Sequence, residues 1–137
     1  MNDMTAKARQ VFAADRYATE LTGIEIAAVG EREASCTLSV DAKHRNARGV
    51  VMGGTLFTLA DFTAAIAANS ECIESGTLHW VSLDATIHYL APAIGNSLRA
   101  VSRPLKHGRT TALYQTTIES LDSGKTLAIV ETTMIYV

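Results

Sequence analysis

Gly53-Gly54-Thr55-Leu56-Phe57-Thr58-Leu59-Ala60-Asp61-Phe62-Thr63-Ala64-Ala65-Ile66-Ala67-Ala68-Asn69 contains no proline and, past its first two residues, no glycine. It reads as one long helix. From Leu56 to Ala68 only Thr58, Asp61 and Thr63 are not apolar, and a helix that is apolar nearly all round is one the rest of a fold wraps. Asp61 is its only ionisable residue. Burying a lone carboxylate costs several kcal/mol unless it is paired, hydrogen-bonded or left at a wet crevice. Asp61 therefore either has a chemical task or marks a face that meets solvent or another subunit, and the helix alone leaves both readings open.

On the N-terminal side, Met4, Ala8, Val11 and Phe12 fall at helical spacing, which predicts a short amphipathic helix within residues 3–18, ended by Thr22-Gly23. Residues 24–29 read as a strand. Ala34, Cys36, Leu38 and Val40 alternate with Ser35, Thr37 and Ser39, the pattern of a half-buried strand, with a hairpin around Gly30-Glu31. Residues 41–51 are a polar connection with no periodicity of their own. Beyond the helix, Ser75-Gly76 marks a turn, and Val81, Leu83, Ala85, Ile87 and Tyr89 alternate with polar residues as a long strand. Pro92-Ala93-Ile94-Gly95-Asn96 reads as a turn, residues 98–105 as a strand and Lys106-His107-Gly108 as another turn. Two last strands, 110–121 and 126–137, flank the hairpin signal Asp122-Ser123-Gly124-Lys125. The C-terminal half is thus expected to be an antiparallel meander of four strands. This element order is α+β, and the helix from Gly53 is the only element apolar enough to cover the buried face of such a sheet.

At 137 residues the chain fits a single domain, 1–137. A net charge of -2 gives no basic excess to hold a nucleic acid backbone. No apolar run approaches the roughly 20 residues needed to span a bilayer, and the N-terminus lacks the apolar core of a signal peptide. A cytoplasmic protein with neither a nucleic acid nor a membrane partner is expected. Cys36 and Cys72 form no CxxC pair and read as packed thiols. His44, His79, His88 and His107 have no metal-ligand spacing, so no metal site is expected. No G-x-S-x-G elbow is present, which disfavours a Ser-His-Asp hydrolase.

Asn46-Ala47-Arg48-Gly49-Val50-Val51-Met52-Gly53-Gly54, followed by Leu59-Ala60-Asp61 and by Tyr89-Leu90-Ala91-Pro92-Ala93-Ile94-Gly95, resembles the hotdog-fold acyl-CoA thioesterases, most closely their phenylacetate-pathway, PaaI-like branch. The likeness covers nearly the whole chain, and the joint spacing of the three pieces carries it. It implies an antiparallel sheet of five to six strands wrapped around one central helix. It also implies a hydrolase that splits a small or medium-chain acyl-CoA, or an aryl-acyl-CoA, to free acid and coenzyme A with no cofactor beyond the coenzyme A of its substrate, and a homo-oligomer, dimer or tetramer, with sites between subunits. A non-catalytic acyl-CoA-binding module of the same fold is the alternative.

Thioester hydrolysis needs donors for the developing oxyanion, a base or nucleophile, and a group that holds water or carbonyl in line. Gly53 and Gly54 sit where the helix begins, so their N–H groups lack intrahelical partners and face the positive end of the helix dipole. The resemblance makes the Gly53 N–H the oxyanion donor and Asp61 either the general base on water or the nucleophile of a mixed anhydride; the sequence does not separate these two routes. It also assigns Asn46 to holding the water or carbonyl and Ser82 to contacting the water or carboxylate. A turn-forming Asn and an exposed strand serine are the plain alternatives. Asp61 lies eight residues beyond Gly53, a rise of about 12 Å, too far for both to serve one site in one subunit. Met52 departs from the family pattern, which has histidine there, and a thioether cannot donate the hydrogen bond an imidazole can. Arg103, Lys106, His107 and Arg109 cluster around one expected turn and are candidates for the phosphates of coenzyme A. Phe57, Phe62 and Ile66 are candidates for shaping the acyl pocket.

Overall fold

The computed structural model describes residues 2–137. Helix α1 (Asp3–Phe12) and a π-helical turn (Tyr17–Thr22) precede strands β1 (Glu25–Gly30) and β2 (Glu33–Ser39); the long helix α2 (Gly53–Ala68) follows, then β3 (Trp80–Tyr89), β4 (Ser97–His107), β5 (Thr111–Ser120) and β6 (Thr126–Tyr136). The six strands form one antiparallel sheet in the order β1-β2-β4-β5-β6-β3. The fold is α+β, as the element order predicts. The alternating residues of β2 point inward as expected, with Ala34, Cys36 and Leu38 buried against α2 together with Leu98, Ala100 and Ile118 from the neighbouring strands.

The expected four-stranded meander is corrected to three. Only β4, β5 and β6 follow one another; β3 lies at the far edge beside β6, and residues 90–96 are a crossover to β4 rather than a simple hairpin turn. The helical reading of residues 3–18 shortens too. Helix α1 stops at Phe12, and the chain then makes a π-helical turn whose end is capped by Gly23 at φ 85°, a conformation glycine adopts without strain. Two further boundaries move. His107 belongs to β4, so the turn lies beyond it, and the polar connection contains a short 3₁₀ turn, Ala42–His44, and an isolated bridge between Arg45 and Val51.

Helix α2 is not wrapped all round. Leu59, Ala60, Ala64, Ile66 and Ala67 are fully buried, but Gly54, Thr58, Asp61 and Ala65, at spacings of three to four residues, form a stripe that the sheet leaves uncovered. The N-terminal segment lies along this stripe and anchors there with Phe12, whose ring meets Phe62 edge-on at 5.9 Å. β3 forms one edge of the sheet and β1 the other; on β3, Val81 and Leu83 are largely exposed although their alternation predicts an apolar, covered face. No helix among the described residues is long and apolar enough to cross a membrane.

Candidate active site

The loop that leads into α2 is held from both sides. Asn46 closes it: its Oδ1 accepts from the Arg48 N–H at 2.9 Å and the Val50 N–H at 3.3 Å, while its backbone pairs with Gly49 and Val50. Gly49 takes φ 82°, which a side chain would strain. The turn-forming reading of Asn46 is therefore true of its oxygen. Its Nδ2 has no partner among the described residues, and the residue lines a cavity of about 490 Å³ together with Arg48, Gly53, Leu56 and Tyr89.

His44 supplies the second anchor. Buried to 4% exposure, it accepts the Asp41 N–H at Nδ1 (3.0 Å) and donates from Nε2 to the Thr22 carbonyl (2.6 Å), tying the loop to the end of the π-helical turn. Its own carbonyl accepts the Met52 N–H at 2.8 Å, which sets the first turn of α2. Met52 occupies the N-cap position, makes no side-chain cap and is exposed. The Met52 carbonyl accepts the N–H groups of Thr55 and Leu56, so those of Gly53 and Gly54 are left without partners among the described residues. They stand at the positive end of the helix, as an oxyanion donor must. Tyr89 packs over Gly53, its hydroxyl donating to the Gly53 carbonyl at 3.2 Å.

Asp61 meets Ser82. The Ser82 hydroxyl donates to Asp61 Oδ1 at 3.2 Å, next to the β-bulge between Ser82 and Asp84 in β3; bulges re-aim strand side chains in this way. The pair does not open into the cavity of Asn46 and Gly53. Asp61 borders a separate space of about 330 Å³ between α2 and the N-terminal segment, shared with Asp15, Tyr17, Thr58 and Phe62. The structure thus joins Asn46 to Gly53 and Asp61 to Ser82, but does not join the two pairs within one chain. Asp15 went unremarked in the sequence because nothing in its spacing signals a role; desolvation in this cavity, then the Asp61 charge, raise its proton affinity above that of an ordinary aspartate.

The four basic candidates are not brought together. Arg103 lies on the outer face of β4, paired with Glu33 at 3.3 Å. Desolvation lowers the proton affinity of His107, which is committed to the Tyr114 hydroxyl at 2.7 Å and packs at a steep angle against the Trp80 ring, centroids 4.6 Å apart. Lys106 and Arg109 are exposed, and none of the four lines the cavity of Asn46 and Gly53. Arg48 does, and a basic residue two positions after the loop asparagine was the available signal for it. Of the three apolar pocket candidates, Phe62 borders the Asp61 space, Ile66 is sealed in the core, and Phe57 is half-buried away from both cavities.

The sequence model of the thioesterase superfamily matches residues 48–127. Human acyl-coenzyme A thioesterase 13 is 30% identical over 133 residues, covering 93% of this chain and 93% of that protein. The acyl-coenzyme A thioesterase PaaI of Escherichia coli is 32% identical over 108 residues, covering 78% of this chain and 73% of that protein. Among solved structures, the E. coli PaaI protein from the phenylacetic acid degradation operon matches with a TM-score of 0.83 at 28% identity, over 98% of this chain and 96% of that one. Zebrafish thioesterase superfamily member 2 matches at 0.82 and 26% identity, over 97% and 98%. The sheet curled round α2 is the hotdog fold, and the chain belongs to the thioesterase superfamily.

Proposed function

We propose that this protein hydrolyses acyl-CoA thioesters to the free acid and coenzyme A, in sites completed by a second copy of the chain. The observation that carries the reading is the separation just described: a carboxylate held by a hydroxyl, Asp61 with Ser82, and an oxyanion donor with a positioning amide, Gly53 with Asn46, each complete but facing different spaces. Edge strand β3 offers the means of joining them. It carries Ser82 near one end and Tyr89, which covers Gly53, at the other, and its outer edge is unpaired among the described residues. In an isologous antiparallel pairing of two β3 strands, a register with Ser82 opposite the partner copy's Tyr89 brings Asp61 of one subunit toward Gly53 and Asn46 of the other. The exposed Val81 and Leu83 would be covered by the same contact.

In such a site Asp61, its Oδ1 occupied by Ser82, takes a proton from water as the water oxygen bonds to the thioester carbonyl carbon. The carbonyl oxygen, now negative, accepts the Gly53 N–H, and Asn46 Nδ2 orients water or carbonyl. Collapse breaks the carbon–sulfur bond, and the proton on Asp61 passes to the departing thiolate. Attack by Asp61 itself, giving a mixed anhydride that water then opens, uses the same groups. Arg48, at the mouth of the Gly53 cavity, is the cation best placed for a phosphate of coenzyme A. The two unpaired cysteines are in keeping with a reducing, cytoplasmic setting.

The test is thiol release from aliphatic and aromatic acyl-CoAs by the native protein and by Asp61→Asn, with binding followed in parallel. Turnover by the native protein, a loss of about 10²–10⁴ in the variant and retained binding in both support the reading. Binding without turnover by the native protein refutes it in favour of an acyl-CoA-binding module.

A further inference from the structure

The next step rests on the hydrolase reading above and concerns which acyl group the site admits. Asp61 has to reach the thioester carbonyl, or a water poised on it, so the acyl group on that carbon lies in space that Asp61 borders. Among the described residues that space is the cavity of about 330 Å³ between α2 and the N-terminal segment. Through Tyr17 and Thr58 it adjoins a second cavity, of about 390 Å³, that reaches Leu21, Met52 and Lys43, whose ammonium is paired with Asp41 at 3.9 Å. Its floor is the uncovered stripe of α2. Thr58 offers no free donor there, because its hydroxyl is spent on the Gly54 carbonyl at 2.9 Å. The opposite wall is the turn between α1 and the π-helical turn, fixed by the Asp15 carbonyl, which accepts both the N–H (2.9 Å) and the hydroxyl (3.0 Å) of Thr19.

Two carboxylates without a cationic partner stand at this cavity. Asp15 and Asp61 both border it, and Asp15 takes part in no side-chain hydrogen bond or ion pair among the described residues. The one cation in the wall, Arg16, is already engaged: its Nε donates to both carboxylate oxygens of Glu20 at 3.0 Å. An acyl group bearing its own carboxylate would enter against two uncompensated negative charges. A neutral acyl group would not.

We infer that Asp15 is a specificity-determining residue that restricts the site to neutral acyl groups and turns away acyl groups ending in a carboxylate. Its place at an exposed rim lets water and salt screen part of the repulsion, so removing its charge is expected to change selectivity by about tenfold.

The experiment compares kcat/KM for hexanoyl-CoA and adipoyl-CoA, equal in chain length and different in terminal charge, at about pH 8, where ordinary carboxylates are ionised. Native protein, Asp15→Asn and Asp15→Lys are measured alongside their Tm. The native protein is expected to favour hexanoyl-CoA. Asp15→Asn should raise the adipoyl-to-hexanoyl ratio about tenfold, and Asp15→Lys should raise it further. A merely structural role for Asp15 lowers both rates together and leaves the ratio in place, which overturns the inference. Binding of the uncleavable thioethers S-hexyl-CoA and S-carboxypentyl-CoA gives the same ratio without chemistry. If neither thioester turns over, the hydrolase reading fails by itself: a thioether ratio that still shifts in the variants upholds the charge selectivity, and one that does not overturns it.

Discussion

Replacing Gly53 by alanine separates the catalytic use of this glycine from its packing. A Cβ added there would lie 2.9 Å from Tyr89 Oη, 3.0 Å from Cζ and 3.2 Å from Cε1. Carbon contacts are comfortable at about 3.5–4.0 Å, so the ring has to retreat by about 0.5–1 Å or swing away. Tyr89 is 54% exposed and free to swing, giving up its hydrogen bond to the Gly53 carbonyl. That loss is worth about 0.5–1.5 kcal/mol. Alanine in place of glycine in a helix returns about 0.5–1 kcal/mol. Stability should change by less than about 1 kcal/mol, a shift in Tm of roughly 3 °C or less. Activity should fall far more, because the methyl and the displaced ring stand where the thioester oxygen must come within about 2.7–3.1 Å of the Gly53 N–H, and losing one such donor costs about 10²–10³ in rate. The assay is kcat/KM for an acyl-CoA found to turn over, beside a thermal melt, for Gly53→Ala, for Gly53→Ala with Tyr89→Ala, and for Gly54→Ala, whose new Cβ meets nothing within 4 Å. The double variant should stay impaired and Gly54→Ala should lose much less. A Gly53→Ala protein that melts normally and keeps kcat/KM within about threefold of the native value refutes the oxyanion assignment.

Three other perturbations test separate parts of the account. His44→Ala leaves the buried Thr22 carbonyl unpaired and opens a cavity, and should lower the unfolding free energy in urea by about 2–4 kcal/mol. Burial pushes the Cys36 thiol up to about 12, with the Thr63 hydroxyl pulling slightly the other way. Above about pH 9 the unfolded chain gives up this proton while the folded chain keeps it, so stability should fall by about 1 kcal/mol between about pH 9 and 10, and Cys36→Ala should remove that share of the loss. The raised Tyr114 hydroxyl adds a loss of the same sign at higher pH. Met52→His places a ring donor beside the oxyanion site and should raise kcat/KM by about fivefold, the value of one hydrogen bond of about 1 kcal/mol; an unchanged rate shows that this site makes no use of a donor there.

The sequence carried the fold through its periodicities. Alternation in Ala34, Cys36 and Leu38 and the unbroken apolar run of α2 are local signals, and each is found where it was expected. Strand order is not local. Nothing in residues 90–96 says that the chain crosses β6 and β5 before pairing, because a turn signal marks only where a strand ends. The exposure of Val81 and Leu83 was equally hidden, since alternation shows that a face is apolar and not what covers it. In the candidate site, the motif residues Asn46, Gly53 and Asp61 were visible in the string, and Ser82, which the family resemblance assigned to contacting the water or carboxylate, stands 3.2 Å from Asp61 Oδ1. Asp15 was not visible, because proximity across the fold put it in the cavity of Asp61 and no spacing rule connects it to its neighbours there; Arg48 stands two positions after Asn46, and that spacing was the available signal for its place in the Gly53 cavity. The charge cluster at Arg103, Lys106, His107 and Arg109 was a cluster only in sequence: a strand turns alternate side chains to opposite faces, and pairing with Glu33 and Tyr114 occupies two of them.

Subunit complementation tests the composite site most directly. Asp61→Asn and Asn46→Ala proteins, each expected to be nearly inactive alone, are unfolded together in equal amounts and reassembled. Hybrid pairs hold one doubly defective site and one site with an intact Asp61 from one copy facing an intact Asn46 and Gly53 from the other. Half of a statistical mixture is hybrid, so thioesterase activity should return to about a quarter of the native value. Activity that stays at the sum of the two variants' residual rates, while native protein carried through the same treatment recovers, would contradict a site shared between subunits.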